Sequence, residues 1–116
     1  MKKSARSSRL YLEDMLSAIE RIREYSAKGK EDFFISPLVQ DAVIRQLSII
    51  GEAAAKVPKN LQERYPKIPW RNMVGMRNII IHDYTDTDIP TVWMVVERDL
   101  PALEKMIRNI VQKGHL

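Results

Sequence analysis

Residues Ser36–Val57 read SPLVQDAVIRQLSIIGEAAAKV, and the arrangement of the rest of the chain follows from them. Ser36 supplies a capping hydroxyl and Pro37 suits the first helical position, so we predict a helix that begins here and is stopped by Pro58. A helix this apolar around its circumference is buried on two sides, and its second side could face a partner subunit. The apolar positions form one broad stripe: Val39, Ala42, Val43, Ile44, Leu47, Ile49, Ile50, Ala53, Ala54 and Val57.

The residues before this helix predict a second helix that packs against it. Leu12, Met15, Leu16, Ile19 and Ile22 fall on one stripe at helical spacing. We place this helix from about residue 7 or 8 to about residue 25, with a glycine at position 29 as its C-terminal cap. The preceding residues 1–7 are basic, and we predict that they form a flexible tail. The length of the chain predicts a single domain over residues 1–116.

The residues after the central helix predict two more long helices. A helical turn at residues 61–65 precedes a helix from Pro69 or Trp70 to about residue 82, although residues 79–81 could also be read as a short strand. The rest of the chain offers no partner strand, so we prefer the helix. A last helix runs from about Ile89, kinks near Pro101 and ends at Gly114. The predicted fold is therefore all-α, an up-and-down bundle of four to five helices.

Composition excludes several classes of function. The chain has 116 residues, no cysteine and two histidines, which leaves no disulfide framework, thiolate nucleophile or zinc ribbon. We expect no metal site and no cofactor. The sequence has neither an apolar run long enough for a membrane span nor a signal peptide, so we expect a cytoplasmic protein with no membrane partner.

Charge is distributed unevenly along the chain, although the net charge is only +4. Residues 56–77 contain six basic residues and one acidic residue, whereas residues 82–99 contain five acidic residues and one arginine. The basic stretch is either a solvated surface or a surface that binds RNA or a protein partner. The aspartates at positions 83, 86 and 88 are more typical of helix capping than of a metal site.

The boundary between these stretches carries residues able to do chemistry. Arg77 and His82 are five residues apart, about 140° around an ideal helix, so they converge only if the helix ends near His82 or a second subunit contributes its copy. Histidine can transfer protons near neutral pH, and arginine can stabilise charge on a phosphate. Together they could cleave RNA without a metal, because RNA supplies its own 2′-hydroxyl nucleophile. The alternative is a histidine at a helix end and an arginine paired with a carboxylate.

At these residues the chain resembles the HepT family, minimal HEPN-domain proteins that pair with minimal nucleotidyltransferases in prokaryotic toxin–antitoxin modules. The signature R-x4-H-x-Y is matched by Arg77, His82 and Tyr84 without departure. The resemblance covers the chain from about residue 12 to residue 110. Shorter features in the same order also match: Gly51-Glu52-Ala53, Ile68-Pro69-Trp70, Gly75-Met76-Arg77-Asn78, Val92-Trp93 and Leu100-Pro101.

The resemblance implies a HEPN helical bundle that dimerises, with an RNA-binding cleft where two motifs meet. It implies a metal-independent endoribonuclease toxin of a type VII-like module, with Arg77 and His82 as the catalytic pair and Asn78 positioning groups beside them. The partner nucleotidyltransferase would act as antitoxin by transferring AMP to Tyr84, in a homodimer or a larger hetero-oligomer. The bulk and negative charge of the AMP group would then occupy the position where the RNA phosphate would bind.

Two alternatives remain open from the sequence. Glu52 is either an exposed or arginine-paired carboxylate without a role in the site, or a partner that orients Arg77, within the chain or across the dimer. The protein as a whole is either the ribonuclease or a catalytically silent HEPN subunit that binds nucleotide or its nucleotidyltransferase partner. Arg77, His82 and Tyr84 together favour the ribonuclease, because a silent subunit needs neither the arginine nor the histidine.

Overall fold

A computed structural model describes the backbone of residues 2–82 and 88–114, and the side chains of residues 8–77 and 88–114. Every regular element in these ranges is helical, which confirms the all-α fold class. A π-helical turn, Val95–Asp99, joins the last two α-helices into one continuous element. The helices are α1 (Lys2–Tyr25), α2 (Lys30–Ile35), α3 (Pro37–Lys56), α4 (Lys59–Arg64), α5 (Trp70–His82), α6 (Ile89–Met94) and α7 (Leu100–Lys113).

The helix predicted to be central is α3, which packs against α1 on one side and α5 on the other. Its residues Val43, Ile50 and Ala54 have no solvent exposure. The second buried side therefore faces another helix of the same chain, and no partner subunit is needed to cover it. Around α3, the described helices form the predicted bundle: four long elements, α1, α3, α5 and α6–α7, and two short connecting helices. None of these helices combines the length and apolarity that crossing a bilayer requires.

The predicted start and stop signals operate as side-chain and backbone caps. The Ser36 hydroxyl accepts a hydrogen bond from the Val39 N–H at 3.2 Å, and Pro37 occupies the first turn of α3. Asp88 accepts from the Thr91 N–H at 3.3 Å, which confirms that this aspartate caps a helix. Gly114 ends α7 in the left-handed conformation, with φ +69°.

Two predictions about the N-terminal third were wrong. α1 begins at Lys2 rather than near residue 7, because lysine, alanine and arginine all favour helix and nothing there interrupts one. The six-residue helix α2 was not predicted, since a helix this short shows almost no periodicity. It is held by Phe33, which is fully buried with its ring centroid 5.2 Å from that of Trp93. The prediction that Gly29 caps the end of α1 was wrong, because α1 ends at Tyr25 and Gly29, with φ +98°, lies in the following turn and directly precedes α2.

Pro101 changes the helical geometry of the residues before it, Val95–Asp99, instead of bending the helix at the proline itself. Proline has no N–H and its ring collides with the carbonyl four residues earlier, so a regular α-helix cannot continue through it unchanged. Here the chain widens into the π-helical turn, in which the Leu100 N–H bonds to the Val95 carbonyl five residues back. The backbone stays right-handed helical at Met94, Val95 and Leu100, so the element bypasses the proline without a break.

Candidate active site

Gly51 controls how closely the two helices of the candidate site approach. A Cβ atom built at this glycine would lie 2.8 Å from the backbone nitrogen of Arg77 and 3.1 Å from the carbonyl oxygen of Met73. Real Cβ atoms essentially never approach another atom as closely as 2.8 Å, so the contact with the Arg77 nitrogen means that only glycine allows α5 to lie this close to α3. The close approach places the backbone of Arg77 directly over the middle of α3.

Glu52 follows this glycine and contacts the Arg77 side chain. Arg77 donates a hydrogen bond from Nη1 to Glu52 Oε1 at 3.0 Å, which also makes the two side chains an ion pair. The contact lies within one chain, and both interpretations of the sequence allow it: an arginine simply paired with a carboxylate, and a glutamate that orients Arg77 for a reaction. Both side chains are partly exposed, at 33% for Arg77 and 52% for Glu52, and such a pair adds little to stability. The guanidinium is one-third exposed, so the pair leaves it accessible to a ligand.

The remaining motif residues are placed only in part. Asn78 and His82 belong to α5, and His82 is the last residue described before residue 88. Along α5 the backbone positions 77 and 82 are about 7.5 Å apart and about 140° around the axis. The surroundings of the Asn78 and His82 side chains, and Tyr84 as a whole, lie outside the described residues.

A cleft between α1 and α3 adjoins the Arg77–Glu52 pair. Its volume is about 300 Å³, and Glu52 lines it together with Tyr11, Asp14, Arg45 and Lys56. Sequence reasoning did not single out Arg45 or Tyr11. The signal was the spacing of positions 45, 52 and 56 on one helix face, which the apolar stripe of the same helix obscured.

The basic stretch 56–77 does not form one surface. Lys56 lines the cleft beside Glu52, whereas Arg64 and Lys67 line a groove against α7 on another part of the molecule. Its last member, Arg77, is paired with Glu52. Among the described residues, no three histidine, aspartate or glutamate side chains are grouped so that they could hold a metal ion.

Comparison with known proteins identifies the family to which this arrangement belongs. The family model "Ribonuclease HepT-like" matches residues 15–110, a range that includes Gly51, Glu52, Arg77 and His82. The chain belongs to the HepT-like family. That match confirms the resemblance drawn from the R-x4-H-x-Y motif, and it covers most of the chain.

Individual relatives bear names of the same kind. A Thermococcus cleftensis protein named a probable ribonuclease HepT is 43% identical over 100 residues, 85% of this chain and 91% of the relative. A candidate RNase of Caldanaerobacter subterraneus is 37% identical over 112 residues, 93% of this chain and 97% of the relative.

A third HepT-like relative is longer. It is a Methanocaldococcus jannaschii protein named as both a gamma-glutamylcyclotransferase and a candidate RNase, and it is 42% identical over 106 residues. The match takes in 90% of this chain but spans only about half of that relative, 48% of its length. No solved structure matches the chain.

Proposed function

We propose that this HepT-like protein is a metal-independent endoribonuclease whose catalytic pair is Arg77 and His82. The observation that carries the proposal is the Arg77 guanidinium, which pairs with Glu52 at 3.0 Å and lies on the same helix as His82. Membership of a ribonuclease family and the RNase names of its relatives support the same activity. A partly exposed, oriented guanidinium is suited to a phosphate, whose oxygens match its planar fork.

The reaction needs one proton acceptor, one proton donor and a group that stabilises negative charge. The 2′-oxygen of RNA attacks the adjacent phosphorus while its proton passes to a base, and the bond from phosphorus to the 5′-oxygen breaks. The leaving oxygen takes up a proton, and the products are a 2′,3′-cyclic phosphate and a 5′-hydroxyl. Imidazole, with an unperturbed pKa of about 6.5, can serve in these proton transfers near neutral pH. Arg77 stabilises the charge that develops on the phosphoryl oxygens.

The regulation that we propose follows the family pattern. Two copies of the chain form a homodimer, in which the second copy brings its own motif to the site and completes it. A cognate nucleotidyltransferase silences the toxin by transferring AMP from ATP to the Tyr84 hydroxyl, with pyrophosphate as the leaving group. The adenylate places a phosphate two residues from His82, where it would repel the phosphate of RNA.

The catalytic assignment is tested by RNA cleavage with EDTA present. We expect His82→Ala and Arg77→Ala each to lower the cleavage rate at least about 100-fold, the usual scale for a general acid–base or a charge-stabilising group. Matched controls are Arg71→Ala, an exposed arginine on the same helix, and His115→Ala. Equal cleavage by all variants would refute the site. Absence of cleavage by the unmodified chain would favour the silent subunit.

The modification is tested by intact mass after co-expression with the nucleotidyltransferase. Each AMP joined to a hydroxyl adds about 329 Da. We expect this increment on the wild-type chain and none on Tyr84→Phe, while Tyr11→Phe keeps it. An increment retained by Tyr84→Phe would assign the modification to another residue.

A further inference from the structure

A groove runs between α7 and the segment that follows α4, away from the Arg77–Glu52 pair. A cavity of about 280 Å³ lies between the two elements, and an adjoining one of about 560 Å³ continues along the surface of α7; the two share Met106 and Asn109 as lining residues. We call it the α4–α7 groove. Its polar lining comes from both elements: Arg64 and Lys67 on one side, and Lys105, Arg108, Asn109 and Gln112 on the other.

The charge of the α4–α7 groove has a single sign. Four cationic side chains line it and no carboxylate does. Arg108 is partly neutralised by Glu104, at 2.8 Å, but no salt bridge within the described residues involves Arg64, Lys67 or Lys105. The α1–α3 cleft, by contrast, sets Arg45 and Lys56 against Asp14 and Glu52. The α4–α7 groove is thus the better match for a polyanion.

The floor of the groove is apolar. Ile68 and Ile110 are buried beneath it, and the half-buried side chains of Tyr65 and Met106 border it. The segment is held in place, since Trp70 Nε1 donates a hydrogen bond to the Tyr65 carbonyl at 3.0 Å. Cations along the rim with an aromatic and apolar floor are what single-stranded nucleic acid requires, because phosphates follow the charges while bases stack on the floor.

A third cavity connects the groove with the helix of the active site. It is about 210 Å³ in volume, shares Met106 with both cavities of the groove, and is also lined by Asn72 and Met76 of α5. Met76 directly precedes Arg77 but lies about 100° from it around α5, so a strand that leaves the groove along this cavity passes around α5 to reach the catalytic arginine.

We propose that the α4–α7 groove binds the single-stranded RNA that flanks the scissile phosphodiester. Its cations contact two or more phosphates, and a base lies against Tyr65. The proposal rests on the proposed ribonuclease function, because that function makes RNA the polyanion. The groove thus positions substrate, and chemistry stays with Arg77 and His82.

The test measures binding in a chain that cannot cleave. In a His82→Ala background, we compare Arg64→Glu/Lys67→Glu with the control Arg21→Glu/Lys28→Glu, which makes the same charge change at exposed positions of α1 and the turn after it. The probe is fluorescent oligouridylate. We expect the groove variant to raise the Kd for the oligonucleotide at least about tenfold. The plot of the logarithm of the binding constant against the logarithm of the salt concentration should become less steep by about 1.4, because each phosphate contact with a single strand contributes about 0.7. The control should bind like its parent.

The outcomes separate the groove from the nuclease. Equal Kd values for the groove and control variants would overturn the groove, whether or not the wild-type chain cleaves RNA. Groove-dependent binding by a wild-type chain that cleaves nothing would keep the groove and refute the nuclease. Competition by polyglutamate as strong as that by unlabelled oligouridylate would also overturn the proposal, because it would assign the groove to an acidic protein. Thermal melting checks folding, and Arg64→Gln/Lys67→Gln repeats the test without charge reversal.

Discussion

At the scale of single residues, Gly51 shows how one missing side chain positions the proposed catalytic arginine. Helix propensity argues against glycine in the middle of α3, where alanine would be favoured by about 1 kcal/mol. The contact with α5 argues for it, because a Cβ would lie 2.8 Å from the Arg77 nitrogen and 3.0 Å from the Arg77 Cβ. Backbone atoms cannot move aside as the end of a flexible side chain can. The cost of the steric clash with α5 therefore exceeds the gain in helix propensity that alanine would bring.

We therefore expect Gly51→Ala to destabilise the protein despite its better helix propensity. Overpacking of this kind costs about 1–3 kcal/mol, which exceeds the gain in propensity. Forcing α5 away from α3 should also disturb the Arg77–Glu52 pair and slow RNA cleavage. The measurement is thermal unfolding together with the cleavage rate.

Gly75 offers the matched control on the opposite helix. It lies within α5, and a Cβ there meets nothing within 4 Å. Gly75→Ala should raise the free energy of unfolding by about 0.5–1 kcal/mol, since it gains propensity without a clash. If both substitutions stabilised the protein, the close approach of the two helices would be refuted.

At the scale of elements, the sequence predicted a helix correctly where the residues that determine it are close together in the chain. Ser36 with Pro37 and Asp88 marked helix starts that the caps confirm, and the stripe on α3 identified the central helix. The Arg77–Glu52 contact joins residues 25 apart in sequence, and the sequence left open whether Glu52 orients Arg77 or is a carboxylate without a role in the site. What could not be predicted depends on tertiary packing: the helix α2, whose Phe33 is buried against Trp93, and the cleft lined by Tyr11 and Arg45.

Pro101 illustrates a further limit of local reasoning. The sequence says that a regular helix cannot pass a proline, but not how the chain resolves the conflict. A kink, a break and a widened turn all relieve the clash. The structure adopts the π-helical turn Val95–Asp99, which keeps the chain helical and keeps Leu100 and Leu103 in the core on the same element as the buried Trp93. The choice among these outcomes is made by the packing of both halves against the rest of the bundle.

At the scale of the whole molecule, the carboxylate of Glu104 joins the first and last helices. Glu104 on α7 pairs with Arg23 near the end of α1 and with Arg108 one turn further along α7, the latter at 2.8 Å. Burial opposes ionisation of Glu104, but the hydrogen bonds and charges of both arginines outweigh burial and hold its pKa below the ordinary value. α1 and α7 are distant in sequence, so the pair links elements that only the tertiary fold brings together.

The lowered pKa sets the pH range in which Glu104 stabilises the protein. A carboxylate with a lower pKa when folded contributes fully above its unfolded pKa, about 4.3, and loses that contribution as the pH falls through the folded pKa. We expect Glu104→Gln to reduce the free energy of unfolding by on the order of 1 kcal/mol at pH 7, since the arginines are largely exposed. The difference from wild type should stay constant between about pH 6 and 8 and shrink below about pH 4.

Urea unfolding across this pH range measures the difference, with Glu13→Gln as control. Glu13 pairs with Arg9 at 3.3 Å within α1, where both side chains are about half exposed, so its loss should change stability little at any pH. A Glu104→Gln difference that persists undiminished in acid would mean that the carboxylate acts through its shape and neutral hydrogen bonding. A difference that vanishes with the charge would establish this ion-pair triad as an electrostatic link between the first and last helices.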